Sequence, residues 1–391
     1  MKDAIYLDYQ ATTPLAPEVF AAMEPWLRER FANPHSAHRP GRAAAAAVEV
    51  ARGRVAALMP EGGRAIFTSG ATEALNIAIQ GAARRARRLD PRRVRVLAAD
   101  TEHSAVRDTV LALGEEGFEP VLLPVGPDGL LDPASVAAQL DGRAALLAVM
   151  LVNNEIGVIQ PAEALAGLAH EVGALFLCDA VQGFGRVDLP ACADMIAISG
   201  HKIYGPKGIG ALWLREGLEL PPLLHGGGQE EGLRPGTLSP ALCVGLGEAA
   251  RLMGARREED TAHVEALWQR ARERLSGWTL NGSAEARYHG NLNLRRDGLD
   301  AARLLSDCRG VALSLGSACA SGSGRPSHVL RALGLSDREA RSSIRLGFGR
   351  YTTLAEIDAA AQKMEEAARA QGCVPVEGGG KGANNGETMK E

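Results

Sequence analysis

The sequence predicts an α/β fold: a mostly parallel sheet flanked by helices, followed by a smaller α+β region. Three observations predict it. Short apolar runs alternate with amphipathic helical patterns between residues 64 and 215, the signature of strand–helix–strand units. The runs are nearly continuous in apolar side chains, as parallel strands covered on both faces require. The chain has 391 residues, 46% of them apolar, more than one small core needs.

Strands are expected at 64–68, 94–98, 120–123, 144–152, 174–178, 195–199 and 209–214. The intervening helices are expected at 72–84, 106–114, 134–140 and 162–171, with two more ahead of the sheet at 17–31 and 42–59. A Gly/Pro-rich stretch at 221–240 precedes one long helical pattern, 241–275, and then short strands and helices to residue 370. These patterns divide the chain into a large domain at 14–250 and a small α+β domain formed by 1–13 and 251–370. The polar, glycine-rich residues 371–391 are expected to be a disordered tail.

Composition removes several function classes. A net charge of −4 and a pI near 6.2 offer no basic field for nucleic acid or an anionic membrane. The residues Lys2-Asp3-Ala4 do not read as a signal peptide, and no apolar run reaches the roughly 18 residues of a membrane span. A cytoplasmic protein with no membrane or nucleic-acid partner is expected. The six cysteines form no Cys-x-x-Cys pair and no zinc spacing, so reduced thiols and no structural metal site are expected. An arginine-dense run, Arg84 to Arg95, reads as a solvated helix end in preference to a docking patch.

Ligands of open parallel sheets sit at the carboxyl ends of the strands, so the residues just after each strand matter most. There the sequence places Ser69-Gly70-Ala71-Thr72-Glu73, Glu102-His103, Asn153-Asn154-Glu155, Asp179 with Gln182, and Ser199-Gly200-His201-Lys202. The first turn offers N–H groups and a hydroxyl at a helix start, suited to a phosphate, although an ordinary N-cap reads the same way. Asp179 ends an apolar strand and needs a cationic partner or a turn to cap. His103 could stack on a flat ring. Lys202 is unremarkable alone, but in a poorly solvated pocket its amine loses a proton readily and can bond a carbonyl carbon. Together they suit pyridoxal phosphate, with its phosphate, stackable ring, ring oxygen, ring nitrogen and aldehyde.

The same residues resemble a known family, the cysteine desulfurases of the NifS/IscS type within the class V aminotransferase superfamily. The likeness runs from Tyr6-Leu7-Asp8-Tyr9-Gln10-Ala11-Thr12-Thr13-Pro14 to Arg345-Leu346-Gly347-Phe348-Gly349-Arg350. Its most specific pieces are Ser199-Gly200-His201-Lys202-Ile203-Tyr204-Gly205-Pro206-Lys207-Gly208 and Gly316-Ser317-Ala318-Cys319. The resemblance implies fold type I of the pyridoxal-phosphate enzymes, a homodimer, and L-cysteine as substrate. Lys202 would hold the cofactor, His103 would stack on its ring, and Asp179 would pair with the ring nitrogen. Asn154 and Gln182 would face the ring oxygen. Ala71, Thr72, Ser199 and His201 would cradle the phosphate, with Thr237 arriving from the other subunit. Arg345 would take the substrate carboxylate, helped by Asn154 and by Asn33 in the Asn-Pro-His-Ser stretch.

Cys319 would accept the sulfur as a persulfide and pass it to an acceptor protein, an iron–sulfur scaffold by analogy; a transient iron or cluster contact through this thiol is the only metal contact expected. Small residues on both sides of Cys319 predict a mobile loop. Where the family often has Asp-Ala-Thr-Gln, this chain reads Asp179-Ala180-Val181-Gln182. Two other readings remain open: a selenocysteine lyase or other class V enzyme, and a persulfide carrier without catalysis.

Overall fold

The structure is a computed structural model and describes residues 4–315 and 326–373. Its largest sheet has seven strands, in the spatial order Gly63–Thr68, Gly210–Arg215, Met195–Ser199, Leu175–Asp179, Ala144–Met150, Arg95–Ala99, Glu119–Leu123. All neighbours are parallel except at Gly210–Arg215, which runs antiparallel to both of its partners. Because Gly63–Thr68 is reversed twice over, its carboxyl end emerges on the same edge as those of the parallel strands. The central strands Ala144–Met150 and Met195–Ser199 are buried throughout, which explains their apolar sequences, broken only by Ser199 at the carboxyl edge.

The helices Ala71–Leu89, Ser104–Ala112 and Ala162–Glu171 connect these strands. Pro17–Arg28, Arg39–Ala56 and Pro240–Ala255 pack on one another beside the sheet. Gly247 fits only because it has no side chain: a Cβ there would stand 2.6 Å from the Cα of Ala51.

A second apolar core surrounds a three-stranded antiparallel sheet that contains Ser343–Gly347, Asn291–Arg295 and Thr279–Leu280. The helices Arg257–Arg274 and Leu354–Ala370 cover it. Leu7 from the start of the chain belongs to this core, and Ile5–Tyr6 pairs in parallel with Val311–Ala312.

The single helix expected over 241–275 is two helices. They part at Arg256, whose backbone leaves the helical region at φ −112°, ψ 11°. Glu258, Glu259 and Asp260 lie in the first turn of the second helix, where acids favour a new amino terminus. The described chain also continues past residue 371: the carbonyl of buried Cys373 accepts from Arg296 at 2.8 Å. Residues 374–391 lie outside the described residues.

The arginine-dense run is largely used up internally. Arg84 pairs with Glu116, Arg92 with Asp90, and Arg95 with Glu119 and Asp141. Arg93 donates to the carbonyls of Ala144, Val172 and Gly173, and Arg87 lies over the Phe118 ring. No described helix is long and apolar enough to cross a membrane.

Candidate active site

The carboxyl edge of the large sheet opens into a cavity of about 410 Å³. Each of the five polar clusters marked in the sequence reaches it: Ser69 to Thr72, His103, Asn154, Asp179 with Gln182, and Ser199, His201 and Lys202 all line it. Arg345 joins them from the small sheet.

Lys202 follows the strand Met195–Ser199 in a short 3-10 turn, Gly200–Lys202. Its Nζ donates to the carbonyls of Gln10 at 2.6 Å and Ala11 at 2.8 Å. Burial, with the nearby Arg345 and Arg186 cations, brings this amine down to about 8. Two residues on, Tyr204 has a left-handed backbone, φ 64°, unusual for a bulky side chain. Thr13 holds it there: the Tyr204 N–H donates to the Thr13 hydroxyl, which donates to the His201 carbonyl. Arg186 reinforces the turn from the other side by donating to the Lys202 carbonyl.

Asp179 stands at the end of a strand and is buried; its Oδ1 accepts from the Val181 N–H at 3.0 Å. Burial pushes its carboxyl up to about 6, against the pull of that N–H and of Lys202. A carboxylate in such surroundings calls for a cation beside it. His103 caps the helix Ser104–Ala112, with Nδ1 accepting from the Ala105 N–H. Burial, with the charges of Lys202 and His328, lowers its pKa, so the ring is held neutral. His201 is brought down to about 4, chiefly by burial, and its Nδ1 lies 3.1 Å from the Thr12 hydroxyl.

The helix Ala71–Leu89 begins at the cavity, with Ala71 and Thr72 in its first turn. Gly210 lets the turn before it approach the sheet, since a Cβ there would stand 2.8 Å from the backbone of Gly70. The N–H groups that open this helix, beside Ser199 and His201, form an anion cradle.

Arg345 is fully buried. It donates to the Asp8 carboxylate at 2.7 Å and to the Asn154 carbonyl at 3.0 Å. The Asn154 side chain makes no hydrogen bond among the described residues, whereas the Gln182 amide already donates to the Gln10 carbonyl at 3.0 Å. Thr237 and Asn33 are exposed and do not line this cavity in the single chain. Cys319 lies outside the described residues. No group of three or more metal-ligating side chains occurs among the described residues.

Sequence reading missed several residues of the site. Gln10 lines the cavity, and Asp8, Thr12 and Thr13 support it through Arg345, His201 and Tyr204; the resemblance includes their stretch, but nothing in it pointed to these roles. Glu102, the neighbour of His103, is completely buried; Oε1 accepts from the Met150 N–H at 2.6 Å while Oε2 has no partner among the described residues. Burial and the neighbouring Asp179 raise its pKa well above the carboxylate range.

The fold and the cavity define the class first: a pyridoxal-phosphate-type α/β enzyme with a lysine, a histidine and a buried acid around one cavity at the sheet edge. The chain belongs to the aminotransferase class-V family, whose profile matches residues 5–360 and whose cofactor is pyridoxal 5'-phosphate. It is 44% identical to the cysteine desulfurase IscS of Rickettsia bellii over 365 residues, 90% of this chain and 88% of that protein. Identity to the cysteine desulfurase IscS of Rickettsia rickettsii is 43% with the same coverage. Among solved structures, a NifS-like protein superposes with a TM-score of 0.86 at 30% identity, covering 94% of this chain and 100% of that one. SspA in complex with cysteine superposes with a TM-score of 0.78 at 36% identity, covering 89% and 99%.

The residues fit the cofactor. The cavity has a helix amino terminus suited to a phosphate, a buried acid in want of a cation, and a lysine whose amine burial helps to deprotonate.

Proposed function

We propose that this chain is a cysteine desulfurase: it removes sulfur from L-cysteine, leaves L-alanine, and carries the sulfur as a persulfide on Cys319. The observation that carries the reading is the placement of Lys202, His103, Asp179 and Arg345 around one cavity, in a chain so similar to two cysteine desulfurases.

Bound pyridoxal phosphate supplies an electron sink for negative charge at the substrate Cα. Lys202 would hold the cofactor and, once freed, take the Cα proton, a task eased by an amine that ionises near 8. Asp179 would keep the ring nitrogen protonated, and His103 would pack on the ring face. Asn154 and Gln182 would meet the ring oxygen. Ala71, Thr72, Ser199 and His201 would bind the phosphate. Arg345 would fix the substrate carboxylate with its planar fork. The Cys319 thiolate would attack the substrate sulfur: a new S–S bond forms, the C–S bond breaks, and the electron pair left on carbon takes up a proton to give alanine.

The described chain approaches the cavity at both ends of residues 316–325. Ser314 pairs with Arg345 through backbone hydrogen bonds in both directions. The acceptor of the persulfide sulfur is in this reading a scaffold protein for iron–sulfur clusters, and the enzyme acts as a homodimer in which Thr237 completes the partner's site and Asn33 serves the substrate side.

The test is alanine release from cysteine, with the persulfide located by mass. Lys202→Ala should lose the visible absorbance of the bound cofactor and all turnover. Cys319→Ser should still bind cofactor and cysteine yet release almost no alanine. Normal alanine release by Cys319→Ser would defeat the reading.

A further inference from the structure

We propose that Ser327 and His328 are positioning residues for sulfur transfer, clamping the return end of the Cys319 segment to the cofactor cavity through Glu155 and the Glu102 carbonyl. The inference rests on the desulfurase reading and extends it to residues that the resemblance does not assign.

Ser327 stands eight residues after Cys319 and is buried. Its hydroxyl donates to Glu155 Oε2 at 2.5 Å. Glu155 is 1% exposed, and its neighbour Asn154 lines the cavity. The Glu155 N–H is fixed in turn by the Asn153 side chain at 2.8 Å, and its carbonyl accepts from Asn293 of the small sheet at 2.9 Å. A hydrogen bond to a buried carboxyl whose own backbone is fixed on both sides is a firm restraint.

His328 makes the second attachment, with Nε2 2.9 Å from the Glu102 carbonyl. An acceptor there requires the Nε2–H form of the ring. Glu102 is itself locked to Met150, and it precedes His103, which lines the cavity. Two successive residues at the end of the segment are thus tied to the neighbours of two cavity residues. At its other end, the Ser314 hydroxyl donates to Asp8, the ion-pair partner of Arg345.

Ser327 also caps the helix His328–Ala332, accepting from the Leu330 N–H at 3.2 Å, so its two roles must be separated. Ser327→Asp does this. Aspartate is a good N-cap, but it would set a second carboxylate against Glu155. Ser327→Thr keeps both interactions. His328→Phe removes the bond to Glu102 without touching the cap.

The experiment compares holoenzymes for alanine release, for the cysteine-induced change in the cofactor's visible spectrum, and for persulfide on Cys319 after one turnover. Ser327→Asp and His328→Phe should slow alanine release and persulfide formation by about tenfold or more, the scale of one buried hydrogen bond lost. The cysteine concentration that half-completes the spectral change should stay within about twofold, because the substrate pocket is untouched. Ser327→Thr should recover most of the rate. Wild-type rates for both damaging variants would overturn the proposal, showing that the cap alone matters. A parallel loss of cofactor retention, cysteine binding and rate would overturn it as general damage. Absence of persulfide from the unsubstituted enzyme would instead bring down the desulfurase reading.

Discussion

At the scale of single residues, Lys202 and Asp179 show how one environment sets two groups in opposite directions. Burial disfavours the charged form of both, so the amine falls toward 8 while the acid rises toward 6. In cofactor-free protein the lowered Lys202 has a definite sign. Between about 8 and the ordinary 10.5 the unfolded chain binds more protons there, so this residue's contribution to stability improves as pH rises through that window. Thermal midpoints of cofactor-free wild type and Lys202→Met should therefore converge in favour of wild type from pH 8 to 10. A constant gap would show that the amine is not perturbed. Arg345→Lys should raise KM for cysteine by about tenfold or more with a smaller effect on kcat, since a point charge cannot replace a bidentate fork. Steady-state kinetics checks it.

Elements explain how much of this was legible. The parallel strands were visible because Ala144–Met150 and Met195–Ser199 are buried on both faces and so are apolar throughout, except for Ser199 at the end that meets the cavity. Residues after those strands could be ranked as site residues because the topology allows only one edge for them. Legibility failed where long-range partners decide the outcome. Nothing near Asp8 or Gln10 in sequence announces Arg345 or Lys202. The reversal of Gly210–Arg215 was missed because a buried antiparallel strand has the same apolar sequence as a parallel one. The helix break at Arg256 was hidden by good helix formers on both sides, with the acid run at 258–260 its only local trace.

The Gly/Pro-rich stretch before the helix Pro240–Ala255 contains an element-scale fastening of its own. Glu230, in a left-handed backbone at φ 48°, receives two bonds from Arg52 at 2.7 Å each and one from the Phe67 N–H at 2.7 Å. Its side chain is 1% exposed. Glu230→Ala should cost about 3–5 kcal/mol, the usual loss when one partner of a buried pair is removed. Denaturant melts of the two proteins measure it, and a loss under 1 kcal/mol would mean that water takes over the role of the acid (about that level is typical of exposed pairs).

For the whole molecule, we propose that the two apolar cores behave as two domains, 14–250 and 1–13 with 251–370. The candidate site lies where they meet: Lys202, His103 and Asp179 come from one core's sheet and Arg345 from the other's. Thr237 and Asn33 are outside this chain's own cavity, which is what a shared site between two copies requires. Sedimentation should give about twice the 41.1 kDa of one chain, and Thr237→Ala should weaken cofactor retention in the dimer. A monomer with full activity would exclude the shared site.

The position of Lys202 against the carbonyls of Gln10 and Ala11 reaches beyond the folded state. Those residues leave the ribosome early, yet the strand that steadies them pairs with Val311–Ala312, and Asp8 waits 337 positions for Arg345. During synthesis the large sheet has every strand it needs once residue 215 is out, while the floor beneath the lysine is still missing. The surroundings of Lys202 are therefore complete only once the last strand, Ser343–Gly347, is present to bind the first residues through Arg345 and Asp8.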